Sequence, residues 1–231
     1  MADDKNGLAA WRRQQRAALI ARREAIEPEQ MRQWREAIDG HLLRGFPGLR
    51  GTLLAICWPY RNEYDGRHLA AALRQSGAVI ALPVVVARDS ALQFRKWHPG
   101  VPMQKGALGI PFPVNTRTCH PQVVLLPMVG FDAAGYRLGY GGGYFDRTLA
   151  ELDPRPTVIG VAHELASIAT IHPQPHDMPM DYVVTERGIY RRDGARLEFL
   201  AAPLQGTQVP LSSPVSYANS PELRREGGSE P

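Results

Sequence analysis

Five short, almost wholly apolar runs constrain this chain more than any other feature: Thr52–Cys57, Val79–Val86, Val123–Leu126, Thr157–Ala162 and Tyr182–Thr185. Runs of this length without polar alternation fit strands buried on both faces, the usual state of strands in a parallel sheet. Between the first two lies Gly66–Ser76, with Leu69, Ala72 and Leu73 at helical spacing and Gly77 as a stop. A strand, a helix and a second strand in that order imply a parallel pair joined by a helical crossover. The expectation is one three-layer α/β domain over residues 1–202, with a mainly parallel sheet and helices on both faces. At 231 residues, 44% hydrophobic and 22% charged, the chain has the material for one such core.

The flanking segments can be assigned in the same way. Leu8, Trp11, Ala18, Leu19 and Ile26 recur at helical spacing, which places Arg12, Arg16 and Arg23 along one strip beside the apolar face. Pro28 opens a second helix running to about Leu43, with Met31, Trp34, Ile38 and Leu42 on one side and Gly45 and Pro47 closing it. Leu92–Trp97 alternates apolar and polar residues, as an edge strand or hairpin arm does. Tyr182–Thr185 reads as the last strand, with Gly188–Arg192 a short terminal segment. From 203 to 231 the composition turns to Pro, Ser, Gly and charge, so a disordered tail is expected there.

Composition narrows the setting more than the activity. No apolar run approaches the roughly 18 residues of a membrane span, and MADDKNG has no basic start or apolar core of a signal peptide. A cytoplasmic protein is expected, monomeric as far as the sequence indicates. Cys57 and Cys119 lack metal-ligand spacing and read as small buried hydrophobes. The net charge of +4 and a pI near 9.3 suit an anionic small molecule as well as nucleic acid. The arginine strip lacks interleaved aromatics, so it offers no base-stacking surface, and no nucleic-acid partner is expected.

Chemistry concentrates in Leu126–Leu149, LPMVGFDAAGYRLGYGGGYFDRTL. Gly139, Gly141, Gly142 and Gly143 give up backbone entropy and bury no side chain, so they belong where backbone approaches a ligand. Glycines that open a helix leave N–H groups at its positive end, a phosphate cradle. Arg137 adds a charged fork for phosphate oxygens, and Asp146 a hard ligand for a divalent cation. The spacing is neither GxGxxG nor GxxxxGK[ST], and taken alone the glycines also fit a flexible turn.

GFDAAGYRLGYGGGYFDR resembles the signature of the 5-formyltetrahydrofolate cyclo-ligase family, with Phe145 where the family often has a second tyrosine. The likeness covers roughly residues 10–190. It implies ATP contacts from Arg12, Arg16, Arg137, Gly139, Tyr140, Gly141, Gly142, Gly143, Tyr144 and Phe145, with Arg16, Arg137 and Tyr144 in catalytic roles. It implies Glu63 as the carboxylate facing the folate pterin, with Tyr144 beside it and Trp58 as an aromatic wall. The loop WPYRNEYDG that carries Glu63 follows the first apolar run, and open α/β sheets bind ligands beyond the carboxyl ends of their strands. MQKGALGIPFPV resembles another family segment and brings Lys105, Gly109 and Ile110 near the pocket. Asp177, in the HD..MD pattern, is implied as a second magnesium ligand with Asp146, while Asp181 serves the next strand. His172 and His176 are four apart, but the prolines among them exclude a helical metal pair.

The resemblance implies an ATP- and Mg²⁺-dependent ring closure: the formyl oxygen of 5-formyltetrahydrofolate takes the γ-phosphoryl group, a neighbouring nitrogen attacks, and phosphate leaves. Two other readings stay open at the level of sequence. One is a sugar-phosphate isomerase or acyl-transfer enzyme on a similar scaffold, and the other a non-catalytic relative that binds RNA.

Overall fold

The structure is a computed structural model describing residues 2–200, so the expected tail at 203–231 lies outside the described residues. Its four helices are α1 (Ala2–Glu24), α2 (Pro28–Gly45), α3 (Arg67–Gln75) and α4 (Tyr144–Glu151). The first strands are β1 (Leu53–Ala55), β2 (Val79–Val84), β3 (Gln93–Trp97), β4 (Met103–Lys105), β5 (Pro111–Pro113), β6 (Thr118–Cys119) and β7 (Val123–Pro127). They are followed by β8 (Gly130–Asp132), β9 (Arg137–Leu138), β10 (Thr157–Val161), β11 (Ser167–Ile168), β12 (Tyr182–Thr185), β13 (Gly188–Asp193) and β14 (Arg196–Leu200). The main sheet has nine strands in the order β14-β13-β12-β10-β7-β1-β2-β3-β6. The five apolar runs are its parallel centre, from β12 through β10, β7 and β1 to β2. Antiparallel strands complete both sides.

The lack of polar alternation in these runs is explained by what covers them. Leu54, Ile56, Ile80, Leu82, Leu125, Ile159, Val161 and Val184 face one layer, where they meet Ile38 and Leu42 of α2 and Leu69 and Leu73 of α3. Ala55, Ala81, Val124, Leu126, Val158 and Val183 face the other, against Leu149 of α4 and Phe131 of β8. A smaller cluster of Leu19, Ile20, Val129, Leu138 and Ile171 fixes α1. The expected three layers are therefore present.

The local readings gain detail. Gly45 is the last residue of α2, as expected, and it has a second reason to be glycine: a Cβ there would collide with the Ile189 side chain, so the glycine lets helix and strand approach closely. Leu92–Trp97 supplies β3, a hairpin arm antiparallel to β2, which is one of the two expected forms; it lies between β2 and the outermost β6 and so is not the edge. The segment from Gly188 is not a short terminus but the first arm of a hairpin, with Asp193 opposite Arg196 across a two-residue loop led by Gly194 at φ 56°. A glycine at the first position of such a loop matches the right-handed twist of the strands. Among the described residues no helix is long and apolar enough to cross a membrane.

Candidate functional site

The sheet order reverses direction between β1 and β7. From β1 the chain crosses over through α3 to β2 on one side, and from β7 through α4 to β10 on the other, the two helices lying on opposite faces. The loops leaving these adjacent strands diverge and open a crevice at their carboxyl ends, the general location of ligands in open α/β sheets. Glu63 lies in the loop after β1, and the glycine segment follows β7 by way of the β8–β9 hairpin.

The Glu63 loop is wound tightly. Arg61 and Asn62 both sit in the left-handed region, at φ 51° and 55°, and Glu63 N–H donates to Tyr60 O at 3.1 Å. Consecutive non-glycine residues in this region are uncommon and need outside support. Support comes from the end of α1: Arg23 Nε donates to Arg61 O at 2.8 Å, and Glu24 holds the Arg61 guanidinium through bonds of 2.7 and 2.8 Å. The turn directs Glu63 inward, where it is 7% exposed. Its Oε2 accepts from Tyr60 N–H at 3.1 Å, and burial raises its pKa, partly offset by the nearby Arg23.

The glycine segment reaches the same carboxylate. Tyr140 Oη donates to Glu63 Oε1 at 2.9 Å and accepts from Arg23 Nη2 at 2.7 Å, and the Tyr140 ring lies 5.5 Å from that of Tyr60. Arg16 Nε donates to Gly139 O, so its guanidinium covers the loop next to Gly141. Gly141 and Gly143 take φ 94° and 63°, whereas Gly142 does not need a positive φ. Gly142 is required for space: a Cβ would stand 2.9 Å from Tyr144 Cδ2 and Cε2. Gly143 is the N-cap of α4 and no side chain caps that end, so the first amides of the helix remain for a ligand. Arg147 folds back over this end, donating to Gly142 O at 2.6 Å with its guanidinium 5.2 Å from the Tyr144 ring centre.

The remaining cations and carboxylates come together as two pairs. Arg137, on β9 and nearly buried, lies 2.8 Å from Asp146 Oδ1 and donates to Met178 O at 2.9 Å. Burial lowers the Arg137 pKa, and Asp146 and Asp177 oppose that shift, which places both carboxylates within its field. Arg12 Nη2 lies 2.7 Å from Asp177 Oδ2 and donates to His172 O, while Arg12 Nε donates to Ile171 O. Asp146 Oδ1 also accepts from Met178 N–H, and Asp177 Oδ2 from Gln174 N–H. No cluster of three or more acidic, His or Cys residues able to hold a metal is found among the described residues. Two carboxylates still fit Mg²⁺, which prefers hard oxygen ligands and commonly keeps waters and phosphate oxygens alongside one or two carboxylates.

Other implied residues have contacts of their own. The Phe145 ring packs against the core on the α4 side, leaving its backbone N–H in the first turn of the helix. Trp58 lies edge-on to Trp97 at 6.1 Å and carries the Arg67 guanidinium 4.6 Å from its ring centre. Lys105, Gly109 and Ile110 lie in or beside the β4–β5 hairpin, whose second strand packs against β2 and β3. Asp181 accepts from Val158 N–H and pairs with Arg155, in line with service to the strands. Neither Cys57 nor Cys119 is in a disulfide, both are half-buried, and the Cys119 thiol donates to Phe94 O at 3.7 Å. Sequence reasoning gave no role to Arg23, Tyr60, Arg147 or His163. Arg23 stood on the arginine strip, but that it ties three loops depends on where α1 docks.

An open, mostly parallel α/β sheet with a crevice at its switch point defines a class of three-layer α/β proteins that take ligands beyond the carboxyl ends of the strands. Comparison with known proteins narrows this: the chain belongs to the 5-formyltetrahydrofolate cyclo-ligase family, whose sequence model matches residues 8–186. It is 33% identical over 190 residues to the 5-formyltetrahydrofolate cyclo-ligase of Mycolicibacterium smegmatis, covering 76% of this chain and 94% of that one. With the Escherichia coli K12 protein of the same name the identity is 28% over 176 residues, covering 73% and 97%. The solved Aquifex aeolicus 5,10-methenyltetrahydrofolate synthetase superposes with a TM-score of 0.70 at 26% identity, over 81% of this chain and 96% of that one. The chain is thus an enzyme of the cyclo-ligase family.

Proposed function

We propose that this enzyme closes 5-formyltetrahydrofolate to 5,10-methenyltetrahydrofolate with ATP and Mg²⁺, releasing ADP and phosphate. The observation that supports the reading is the hydrogen bond from Tyr140, in the glycine loop, to Glu63, which links the loop proposed for phosphate to the carboxylate proposed for the pterin. An amide-type oxygen is a poor leaving group, and transfer of the γ-phosphoryl group turns it into phosphate, a good one. The chain's task is then to hold two substrates in line and neutralise charge.

The amides of Gly141–Tyr144 and the first turn of α4 cradle phosphate oxygens, and Arg16 sits over that loop to meet developing charge. Arg137 and Arg12 exchange their carboxylate partners for phosphate, which releases Asp146 and Asp177 toward the metal. A bound Mg²⁺ would supply charge neutralisation across the phosphates. Glu63, fixed by Tyr60 and Tyr140, accepts from N–H groups of the pterin, and Tyr144 borders both substrates. The test is ATP hydrolysis and methenyl-folate formation, each measured with and without 5-formyltetrahydrofolate. Coupled turnover is expected. ATP-independent turnover would favour an isomerase or acyl-transfer enzyme, and no turnover with RNA binding would favour a non-catalytic relative.

A further inference from the structure

His163 is the polar residue that the reading above leaves without a task. It follows β10 and is 2% exposed, and neither of its ring nitrogens has a hydrogen-bond partner among the described residues. Buried polar side chains are nearly always paired, because an unpaired one loses its bonds to water without replacing them. The backbone carbonyl is satisfied, since Ala166 N–H donates to His163 O at 2.9 Å, and both ring nitrogens have unmet capacity. The ring packs on Trp34, with centroids 5.1 Å apart, which fixes its plane. Burial, helped by the charge of Arg23, pushes its pKa down to about 4, so near neutral pH it is a neutral ring with one donor and one acceptor.

His163 lines a small cavity together with Glu63, Arg23, Tyr64, Met128 and Ala162, at the carboxyl ends of β7 and β10, and its two ring nitrogens are buried beside it. Its volume, about 10 Å³, admits one water-sized group. The Arg23 Nε, Nη1 and Nη2 atoms each already donate, to Arg61 O, Met128 O and Tyr140 Oη. His163 is therefore the side chain in this wall that offers both a donor and an acceptor with no partner. Glu63, assigned above to the pterin N–H groups, borders the same space.

We propose that this cavity is a subsite for one exocyclic oxygen or amino group of the bound heterocycle, and that His163 binds that group beside Glu63. The inference rests on the folate reading of the site. A neutral imidazole suits the task because it donates to an exocyclic oxygen or, as the other tautomer, accepts from an amino group, and it adds no charge beside Arg23. The group entering from the ligand displaces the water that the cavity otherwise has room for.

The experiment is calorimetric titration of the parent, His163→Phe and His163→Gln with 5-formyltetrahydrofolate and separately with ATP, with melting curves and imidazole ¹⁵N spectra of the parent during folate addition. His163→Phe keeps a ring against Trp34 and removes both nitrogens, so it is expected to melt no lower than the parent, bind ATP as the parent does, and lose about tenfold or more in folate affinity. His163→Gln is expected to fall between the two, and the parent's imidazole ¹⁵N shifts are expected to move as folate saturates. Unchanged folate affinity in His163→Phe, or ¹⁵N shifts that stay fixed at saturation, would mean that His163 serves a buried water only, and would overturn the subsite. If His163→Phe does not fold, the ¹⁵N titration and His163→Gln decide. A parent that binds no folate overturns the functional reading and the subsite together, whereas a parent that binds folate beside an unaffected His163→Phe overturns the subsite alone.

Discussion

Glu63 is buried, ionisable and shared by two loops, and each property has a separate consequence. Replacing it with Gln keeps the shape and the hydrogen bond from Tyr140 but removes the charge. Folate affinity is expected to fall by about tenfold or more, because a charge-assisted bond to the pterin N–H groups becomes a neutral one, while ATP affinity holds. Unchanged folate affinity in a titration would dispose of the assignment. The pH behaviour follows from the raised pKa. A carboxyl whose folded pKa lies above its unfolded value favours the folded state below the unfolded pKa, near 4.5, and loses that contribution as pH rises through the folded value. Glu63→Gln has no such loss, so its melting temperature relative to the parent should be higher near neutral pH than near pH 4. A difference that stays constant with pH would show that the carboxyl is not held in an unfavourable environment. The position of Glu63 was legible in the sequence, as a carboxylate following an apolar strand within a family-like pattern. Its partner Arg23 was not, because nothing in an arginine strip says which member will meet a carbonyl, a tyrosine or solvent.

At the scale of elements, the glycine loop and the first turn of α4 act as one unit. Each glycine has its own reason for being there. Gly141 and Gly143 answer to backbone conformation and Gly142 to the Tyr144 ring. Gly142→Val should therefore push the Tyr144 ring away from the helix start and weaken ATP binding by about tenfold or more, with little change in folding. If the ring is the cause, adding Tyr144→Ala to Gly142→Val should cost less ATP affinity than the two single changes summed. Strict additivity in the double-mutant cycle would exclude that contact as the mechanism. The paired charges predict an effect of opposite sign. Asp146 holds Arg137, so Asp146→Asn frees the guanidinium and should raise ATP affinity in the absence of metal, while more Mg²⁺ is needed for turnover. Lower metal-free ATP affinity in Asp146→Asn would show that Arg137 is not held in reserve for phosphate. The start of α4 could be read from glycines running into a helical segment. The sheet of β8, β9 and β11 beside it could not, since strands of two or three residues carry no usable period. That sheet explains the GFD of the signature: Asp132 accepts from the Ala134, Tyr136 and Ile171 amides, so it braces the hairpin carrying Arg137.

For the molecule as a whole, the parallel centre was legible and one flank was not, for a single reason. Strands buried on both faces advertise themselves by lacking polar residues, whereas β13 and β14 alternate, as Gly188–Asp193 and Arg196–Leu200 do, and resemble surface coil when rich in arginine. The signal that could have found them was Asp193-Gly194, a hairpin turn between two such runs. The hairpin matters because β13 covers the side of β12, and Ile189 packs against α2 at Gly45. In β14, Phe199 packs edge-on against Tyr190 with centroids 5.1 Å apart, and Leu200 stands opposite Ile189. Two truncations should thus differ sharply. Removing everything after Pro203 keeps every described strand and, given the composition of that stretch, should leave turnover and melting temperature close to those of the parent. Removing everything after Asp193 strips β14, uncovers the Tyr190 ring and bares the edge of β13, and should lower the melting temperature by several degrees and promote aggregation through that edge. The site itself is built at the switch point between β1 and β7, away from this flank, so the shorter protein should bind ATP normally at temperatures where it remains folded. Equal melting temperatures for the two truncations would show that the sheet's stability ends at β13, and lost ATP binding in the folded shorter form would show that the flank reaches the site.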